Sequence, residues 1–330
     1  LPGLDLYNAI RAGSLNYKHF LNIFWIYPPL VPASYTLFYL IFGTNTGMEL
    51  IVNSIYLIIM LLSVYGIGKK MFNERVGLLS AFIVSSFPSV IAASRLVYAE
   101  FHLMCLTTLA IYMLLKTDYF TDRRYSIALG VSLALVALAK WEFPPMLIGP
   151  FAVILYRART VNPHIPYKTK LNNFIFSILI GFVLSSFWYV PNFKNVIHRL
   201  FFWEIENVFN NNRTFPFNSL MGIGNLSNYL LGLINSHIGF FYFIVLTVCL
   251  IFIFLGLLTS RIIRKEKKHA MYLILLWIVL PYIAFTFVKI KGYSHVLSVL
   301  VPISLVVAAM LEKLRKPYTI FASIPTSFRA

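Results

Sequence analysis

The sequence carries little charge for its length. Of its 330 residues, only 12% are charged and 11 are acidic, whereas 59% are apolar. A water-soluble domain is usually about a quarter charged, so one soluble core cannot hide this apolar excess. Several stretches run about 18 or more residues almost without charge, which is long enough to cross a bilayer. The composition therefore predicts an integral membrane protein.

Cysteine is also scarce, and motifs of soluble enzymes are missing. The two cysteines, Cys105 and Cys249, lie inside apolar runs, which favours buried packing over a disulfide or a metal ligand. Walker, GxGxxG, HExxH and GxSxG patterns are absent, which argues against the enzyme classes that they mark. No secretory signal peptide is visible at residues 1–7, and the first residue is not Met. We therefore expect a fragment whose first membrane helix precedes Leu1.

Basic residues outnumber acidic ones, and the formal net charge is +17. No basic domain with interleaved aromatic residues lies outside the apolar runs, so nucleic-acid binding is not expected. In a polytopic membrane protein, Lys and Arg instead mark the cytoplasmic loops.

The apolar runs predict helices, because they lack the alternation of barrel strands. The sequence predicts nine membrane spans, at residues 50–68, 76–93, 101–115, 125–139, 143–156, 173–190, 238–259, 271–288 and 296–312. Most of the 28 Lys and Arg residues lie in the connections at 69–75, 116–124, 157–172 and 260–270 and in the tail at 313–330. This asymmetry predicts that these connections are cytoplasmic. We expect an all-α polytopic bundle at 50–312 and a cytoplasmic tail at 313–330.

Two external segments are predicted to be long. Residues 1–49 form the first external loop, in which the apolar run 28–43 is too short for a typical span and is expected to lie along the membrane surface or to dip in and return. Residues 191–237 form the second. Its beginning, residues 196–208, spaces apolar groups as an amphipathic helix does.

Glu100 is the acidic residue that most suggests chemistry. It is predicted at the external mouth of a span, where an ionisable group is expensive unless it is paired or functional. Arg95 and His102 are close in sequence, so an ion pair with Arg95 that merely caps the helix is the structural alternative. Lys140 stands beside Glu142 in a short external turn, where the two charges either neutralise each other or leave the lysine for a lipid phosphate. Lys291 and His295 lie in the last external turn, against the local charge bias.

Five sequence blocks resemble, in order, those of the protein O-mannosyltransferase-like glycosyltransferases, which include bacterial enzymes that add aminoarabinose to lipid A. The blocks are Tyr27-Pro-Pro-Leu30 with residues 38–43, the turn at 66–75, Phe87-Pro88 with Ser94, Arg95 and Glu100, residues 133–140, and Lys291 to Pro302. The resemblance implies a type C glycosyltransferase fold with interfacial helices in the external loops. It also implies transfer of a sugar from a polyprenyl-phosphate carrier to a hydroxyl acceptor.

The resemblance also implies roles for particular residues. The family's main acid lies in the first external loop, but Gly3 occupies its position here, so either Asp5 has taken the role or the acid precedes Leu1. The second acid falls on Glu100. By position, Lys140 and Lys291 would meet the carrier phosphate, with Arg95 and His295 as further basic groups. The acceptor hydroxyl would benefit from a carboxylate base, and the basic groups would offset charge on the leaving phosphate.

Competing functions predict different patterns. A transporter or flippase explains the helices equally well, but it usually has ionisable groups at mid-membrane and repeat symmetry, and neither is visible here. A non-catalytic scaffold would leave Glu100 and the external lysines without a role. We therefore expect a multi-pass glycosyltransferase of a bacterial or archaeal plasma membrane or of the endoplasmic reticulum, active on the external or lumenal side. Its partners would be a lipid-linked sugar donor and the bilayer; no resident cofactor is predicted, and a divalent cation remains open.

Overall fold

The computed structural model is helical throughout its described part, which comprises residues 2–45, 47–201, 244, 247, 265–286 and 293–314. Eleven helices precede the first long gap: α1 Pro2–Arg11, α2 Tyr17–Ile23, α3 Leu30–Phe42, α4 Met48–Met71, α5 Glu74–Ser86, α6 Pro88–Ala93, α7 Ala99–Lys116, α8 Arg123–Ala139, α9 Pro144–Ala158, α10 Tyr167–Tyr189 and α11 Phe193–Phe201. After the gap come α12 Lys265–Thr286, the 3₁₀ helix Tyr293–Val299 and α13 Leu300–Leu314.

Four of the helical stretches are long and apolar enough to cross a membrane: Met48–Met71, Ala99–Lys116, Tyr167–Tyr189 and Val296–Lys313. Large apolar side chains such as Leu62, Phe82, Phe182 and Val183 are exposed on the helix surfaces. Exposed apolar surface on this scale requires lipid rather than water around it. The chain is therefore an integral membrane protein, as its composition predicted.

Eight of the nine predicted spans fall on described helices, whereas span 238–259 lies almost wholly outside the described residues. One predicted span is wrong in its continuity. Residues 76–93 form two helices, because Phe87 is extended (φ −66°, ψ 130°) and Pro88 opens a new helix. Proline lacks the N–H that would continue the first helix and disfavours helical backbone in the residue before it.

The helices at the centre of the bundle differ from those at its rim. In α7, 67% of the membrane-length window is buried, and in the stretch Val296–Lys313 the share is 78%, against 28% for α10. The apolar core therefore surrounds α7 and α13, with Met60, Phe101 and Met104 fully buried in it. The helix α10 lies at the edge, where its apolar residues face lipid.

Connections predicted to lie on one side of the membrane meet at one end of the bundle. Asn162 donates to Asp118 Oδ2 (3.0 Å) and Asn173 donates to the Phe120 carbonyl (2.8 Å), which joins the connections 116–124 and 157–172. At the other end, Asn53 donates to the carbonyls of Ser94 (3.0 Å) and Leu96 (2.9 Å). These contacts agree with the predicted alternation of spans, which stays a prediction, as does the side of the membrane on which each end lies.

The segment before α4, predicted to be external, packs against the end of the bundle at which Asn53 lies. The Trp188 indole donates to the Phe24 carbonyl (2.9 Å), and the Tyr17 hydroxyl donates to the Phe187 carbonyl (2.7 Å). Residues 2–42 thus form three short helices, and this segment is held to the end of α10. Their predicted position at the membrane surface stays a prediction.

Candidate active site

A buried lysine joins two carboxylates at the end of the bundle that carries the first segment. Lys140 Nζ lies 2.9 Å from Glu100 Oε1 and 2.7 Å from Glu142 Oε2. The Lys140 side chain is 3% exposed, whereas those of Glu100 and Glu142 are 14% and 16% exposed. We call these three residues the Lys140 cluster. The carboxylates are therefore accessible at the rim, and the ammonium lies beneath them.

Local sequence explains how the cluster forms. The helix α8 ends at Ala139 because Lys140 adopts an extended backbone (φ −161°, ψ 140°). The next helix begins at Pro144, and proline is favoured in the first turn because its missing N–H is not needed there. Glu100 lies in the first turn of α7, after the extended residue Tyr98. Since α7 and α8 pack as neighbours joined by a short connection, the start of α7 meets the end of α8.

Electrostatics keep Lys140 charged. Burial by itself lowers the pKa of its ammonium, but the carboxylates of Glu142 and Glu100 more than offset this, so the pKa of Lys140 lies above its ordinary value. A buried ammonium without such partners would cost several kcal/mol, on the order of what is lost when a buried ion pair is broken. The cluster brings two carboxylates to one ammonium, and both carboxylates lie on its more accessible side.

A second polar network lies in the core next to Glu100. His102 is fully buried; its Nδ1 lies 2.9 Å from the Tyr98 carbonyl oxygen, and its Nε2 lies 3.2 Å from the Tyr35 hydroxyl. The Tyr35 hydroxyl donates to Asn53 Oδ1 (2.7 Å). This network ties α3 and α4 to the start of α7, and so it holds the backbone that carries Glu100.

Sequence reasoning missed Tyr35 and Asn53. The signal was present for Asn53, because an amide inside the predicted span 50–68 is expensive unless it is hydrogen-bonded. Tyr35 carried no such signal, since tyrosine is common in apolar membrane segments.

The structure describes only some of the other predicted site residues. Arg95 is exposed between α6 and α7, and the alternative in which it forms an ion pair with Glu100 is wrong, since Glu100 pairs instead with Lys140. The reason is that Lys140 is buried beside Glu100, whereas the chain turns Arg95 outward. Lys291 lies outside the described residues, and His295 falls in the 3₁₀ helix Tyr293–Val299. Of the two alternatives for Lys140, the structure shows the ion pair with Glu142, whereas a contact with a carrier phosphate stays a prediction.

Asp5 and Gly3 lie on different faces of α1. Asp5 is exposed, whereas Gly3 is buried against α3 with Leu6 and Ala9. A Cβ atom on Gly3 would lie 3.1 Å from the Pro32 carbonyl oxygen, and Thr36 Oγ1 donates to the Gly3 carbonyl (2.8 Å). The position that matches the family's main acid is therefore a packing position in this chain, and Asp5 is the acid of α1 that faces outward.

Metal binding has no candidate among the residues that the structure describes. No three His, Cys, Asp or Glu side chains there lie close enough together to hold an ion.

Solved structures with the same arrangement of helices define the class of fold. ArnT of Cupriavidus metallidurans matches in the apo state with a TM-score of 0.59 and 11% identity, over 97% of this chain and 56% of that chain. Its complex with undecaprenyl phosphate matches with a TM-score of 0.57 and 11% identity, over 94% of this chain and 55% of that one. A third match is AglB, an archaeal oligosaccharyltransferase of Archaeoglobus fulgidus, in complex with an inhibitory peptide and a dolichol-phosphate. It matches with a TM-score of 0.55 and 12% identity, over 91% of this chain and 44% of that chain.

These matches show that the chain has the type C glycosyltransferase fold. The chain spans about half the length of these structures. Residues 27–188 match the family of dolichyl-phosphate-mannose-protein mannosyltransferases, so the resemblance drawn from the sequence blocks is confirmed. No curated protein sequence matches the chain.

Proposed function

We propose that the chain carries the membrane part of a glycosyltransferase that moves a sugar from a polyprenyl-phosphate carrier to a hydroxyl acceptor on the external or lumenal face. The Lys140 cluster is the observation that supports this most directly: a carboxylate at a helix mouth, held by a buried ammonium, in the type C fold. The family match at residues 27–188 supports a polyprenyl-phosphate donor. So do the undecaprenyl phosphate bound to ArnT and the dolichol-phosphate bound to AglB.

The chemistry proposed for Glu100 is that of a general base. The acceptor oxygen attacks the anomeric carbon, the bond from that carbon to the carrier phosphate oxygen breaks, and the carrier leaves as polyprenyl phosphate. The acceptor proton passes to the Glu100 carboxylate. A positioned base of this kind typically contributes about 10²–10⁴-fold in rate. One displacement implies inversion at the anomeric carbon.

Lys140 is better suited to positioning Glu100 than to binding the carrier phosphate. Its ammonium is already shared by two carboxylates, and its side chain is only 3% exposed. A phosphate that approached the cluster would meet excess negative charge, which costs free energy at short range. The proposed phosphate contacts therefore rest on Arg95, Lys291 and His295, and Asp5 remains the proposed first acid.

The transporter alternative predicts that the ionisable groups of the described spans lie at mid-membrane depth. The cluster lies instead at helix ends, at the start of α7 and the end of α8. That location favours chemistry at a membrane face over a path across the bilayer.

The test compares Glu100→Gln with Glu49→Gln in membranes that contain the full-length protein. Glu49 is a matched control, because it also lies in the first turn of a helix, α4, and accepts a hydrogen bond from Tyr39. Membranes receive a panel of labelled undecaprenyl- and dolichyl-phosphate sugars, and release of the polyprenyl phosphate is measured. Glu100→Gln should lower the rate by about 10²-fold or more, while Glu49→Gln stays within about twofold of the parent.

Two further variants distinguish the roles. Lys140→Met should lower kcat with little change in the KM of the donor if Lys140 positions Glu100, whereas a raised KM would assign Lys140 to the carrier phosphate. An active Asp5→Asn protein would place the first acid elsewhere. A parent protein that releases no carrier from any donor in the panel, or a fully active Glu100→Gln variant, would contradict the proposal.

A further inference from the structure

The opposite end of the bundle contains a cavity that the proposed reaction does not use. Its volume is about 160 Å³, and it lies among the ends of α4, α7, α9 and α12. A single water molecule needs only about 15 Å³ by the same kind of measure. The cavity therefore has room for a group of several non-hydrogen atoms. We call it the Arg157 cavity.

Basic side chains from three helices line this cavity. Lys70 comes from the last turn of α4, Arg157 from the last turn of α9 and His269 from α12, and the Tyr119 side chain completes the polar part of the wall. These residues are up to about 200 positions apart in sequence, so only the packing of the helices brings them together. Cationic groups that converge in one concave site from separate elements point to an anionic ligand.

Arg157 has a donor that the protein leaves unused. Its Nη1 donates to Thr160 Oγ1 (3.2 Å), but its Nε atom is buried and has no hydrogen-bond partner among the described residues. A buried guanidinium N–H without an acceptor is costly. A guanidinium matches the spacing of phosphate oxygens with two parallel N–H groups, so Arg157 is suited to a phosphate in the cavity that it lines.

One carboxylate lies near the cavity without lining it. The Asp118 carboxylate accepts a hydrogen bond from Asn162 Nδ2 (3.0 Å) and is close enough to Lys70 to interact with its charge. Lys116, whose ammonium lies over the Tyr125 ring, adds a further positive charge to this side. Among the described residues around the cavity, the positive charges of Lys70, Arg157 and Lys116 therefore exceed the negative charge of Asp118, even with His269 neutral.

The backbone beside the cavity is strained. Asp118, Tyr119 and Phe120 are all left-handed, with φ values of 47°, 60° and 65°. Left-handed backbone is unfavourable for residues other than glycine. The turn is held because the Phe120 N–H donates to Thr117 Oγ1 (3.1 Å) and its carbonyl accepts from Asn173 (2.8 Å). This conformation carries Tyr119 into the cavity wall, and strained residues of this kind concentrate at functional sites.

We propose that the Arg157 cavity binds the phosphate group of an anionic ligand at the predicted cytoplasmic face. Leu115, Val153 and Ile154 form an apolar wall beside the basic groups, as the glycerol and acyl portion of a phospholipid would require. Basic pockets between membrane helices on the cytoplasmic side bind anionic headgroups in this way. A free phosphorylated molecule would use the same contacts, so the experiment separates the two sources.

The experiment measures binding of phosphatidylglycerol to the full-length protein in a neutral detergent by native mass spectrometry. The variant is Lys70→Gln/Arg157→Gln. The matched control is Lys69→Gln/Arg159→Gln, which removes the same charge one or two residues away; Lys69 pairs with Glu74, and Arg159 lies over the Tyr167 ring. The cavity variant should bind the lipid roughly tenfold or more weakly, and the control should stay within about twofold of the parent.

A second arm replaces the lipid with inorganic phosphate and measures the unfolding temperature. Stabilisation of the parent, but not of the cavity variant, by phosphate identifies a small phosphorylated ligand, whereas stabilisation by phosphatidylglycerol alone identifies a lipid. If the double variant does not fold, Lys70→Gln against Lys69→Gln provides the same comparison with exposed residues. Equal weakening in variant and control would overturn the proposal in favour of diffuse surface charge, and so would the failure of both ligands to bind.

Discussion

At the scale of single residues, two lysines in the described part of the chain are buried, and their charges are satisfied in different ways. Lys140 is held by two carboxylates at one end of the bundle. Lys170 is 1% exposed and donates to the carbonyls of Ala158, Val161 and Asn162 at the end of α9. Carbonyls at the end of a helix carry partial negative charge and lack partners in the helix, so an ammonium there serves as a cap. Sequence reasoning treated Lys170 only as a charge that marks the cytoplasmic side.

The first residue-scale prediction concerns pH. Because the pKa of Lys140 is raised in the folded protein, its contribution to stability is fully present below the unfolded pKa, about 10.4, and is lost as pH rises through the folded value. The difference in unfolding temperature between the parent and Lys140→Met should therefore stay constant from pH 8 to about 10 and shrink above it. Thermal unfolding in detergent across pH 8–12 measures this. A difference that shrinks below pH 9 would mean that the ammonium is not stabilised by its partners.

The second residue-scale prediction concerns Lys170. Lys170→Met keeps the length of the side chain but removes the donor of the Ala158 and Val161 carbonyls, while the Asn162 carbonyl still accepts from the Ile165 N–H, so it should cost about 2 kcal/mol or more. Lys168→Met is the matched control, since Lys168 is exposed two residues away. The unfolding temperature in detergent should drop clearly for Lys170→Met and hardly change for Lys168→Met. Equal values for the two variants would show that the cap contributes nothing.

At the scale of elements, α4 and α5 approach each other through glycine. A Cβ on Gly68 would lie 2.6 Å from the Gly77 Cα, and one on Gly77 would lie 2.5 Å from the Tyr65 carbonyl oxygen. Backbone atoms cannot move aside as the end of a flexible side chain can. The two glycines therefore set the distance between the helices, as small residues do at helix contacts in membranes.

The prediction at this scale is that Gly68→Ala destabilises the protein. Alanine favours a helix over glycine by about 1 kcal/mol, but overpacking a contact between backbones costs about 1–3 kcal/mol. Packing should win, so the unfolding temperature should fall, and Gly77→Ala should act in the same direction. The double variant should cost less than the two single costs combined, because both act on one contact. A rise in the unfolding temperature of Gly68→Ala would show that the helices are further apart than described.

At the scale of the whole molecule, the distribution of basic residues predicts which end of the bundle faces the cytoplasm. The structure groups the basic connections at the end that contains the Arg157 cavity and leaves the Lys140 cluster at the other. The proposed function requires the cluster to face outward or into a lumen. The proposed binding of an anionic headgroup requires the cavity to face the leaflet that carries most of the anionic lipid.

Thiol labelling tests this orientation. Lys18→Cys and Lys168→Cys place thiols at exposed positions of opposite ends, in a background with Cys249→Ala; Cys105 is buried and stays. An impermeant maleimide added to intact cells should label the first variant and reach the second only after the membrane is permeabilised. The reverse pattern would refute both the orientation and the proposed side of the active site.

The sequence by itself determined the class of protein and most of its spans. Hydropathy is a local and additive property of the sequence. Stretches such as 50–68 and 101–115 therefore predicted α4 and α7, with helix ends that were wrong by a few residues. The break at Phe87-Pro88 could also have been predicted, since proline cannot continue a helix, but residues 76–93 were predicted as one continuous span. The order of the sequence blocks indicated the family, because most of the blocks lie at the ends of predicted spans.

Only the tertiary structure decided which charged groups meet. Glu100 pairs with Lys140 rather than with Arg95, five residues away, because the end of α8 packs beside the start of α7. Lys70, Arg157 and His269 line one cavity for the same kind of reason. Such encounters depend on packing summed over the whole bundle, and no local pattern of residues encodes that sum.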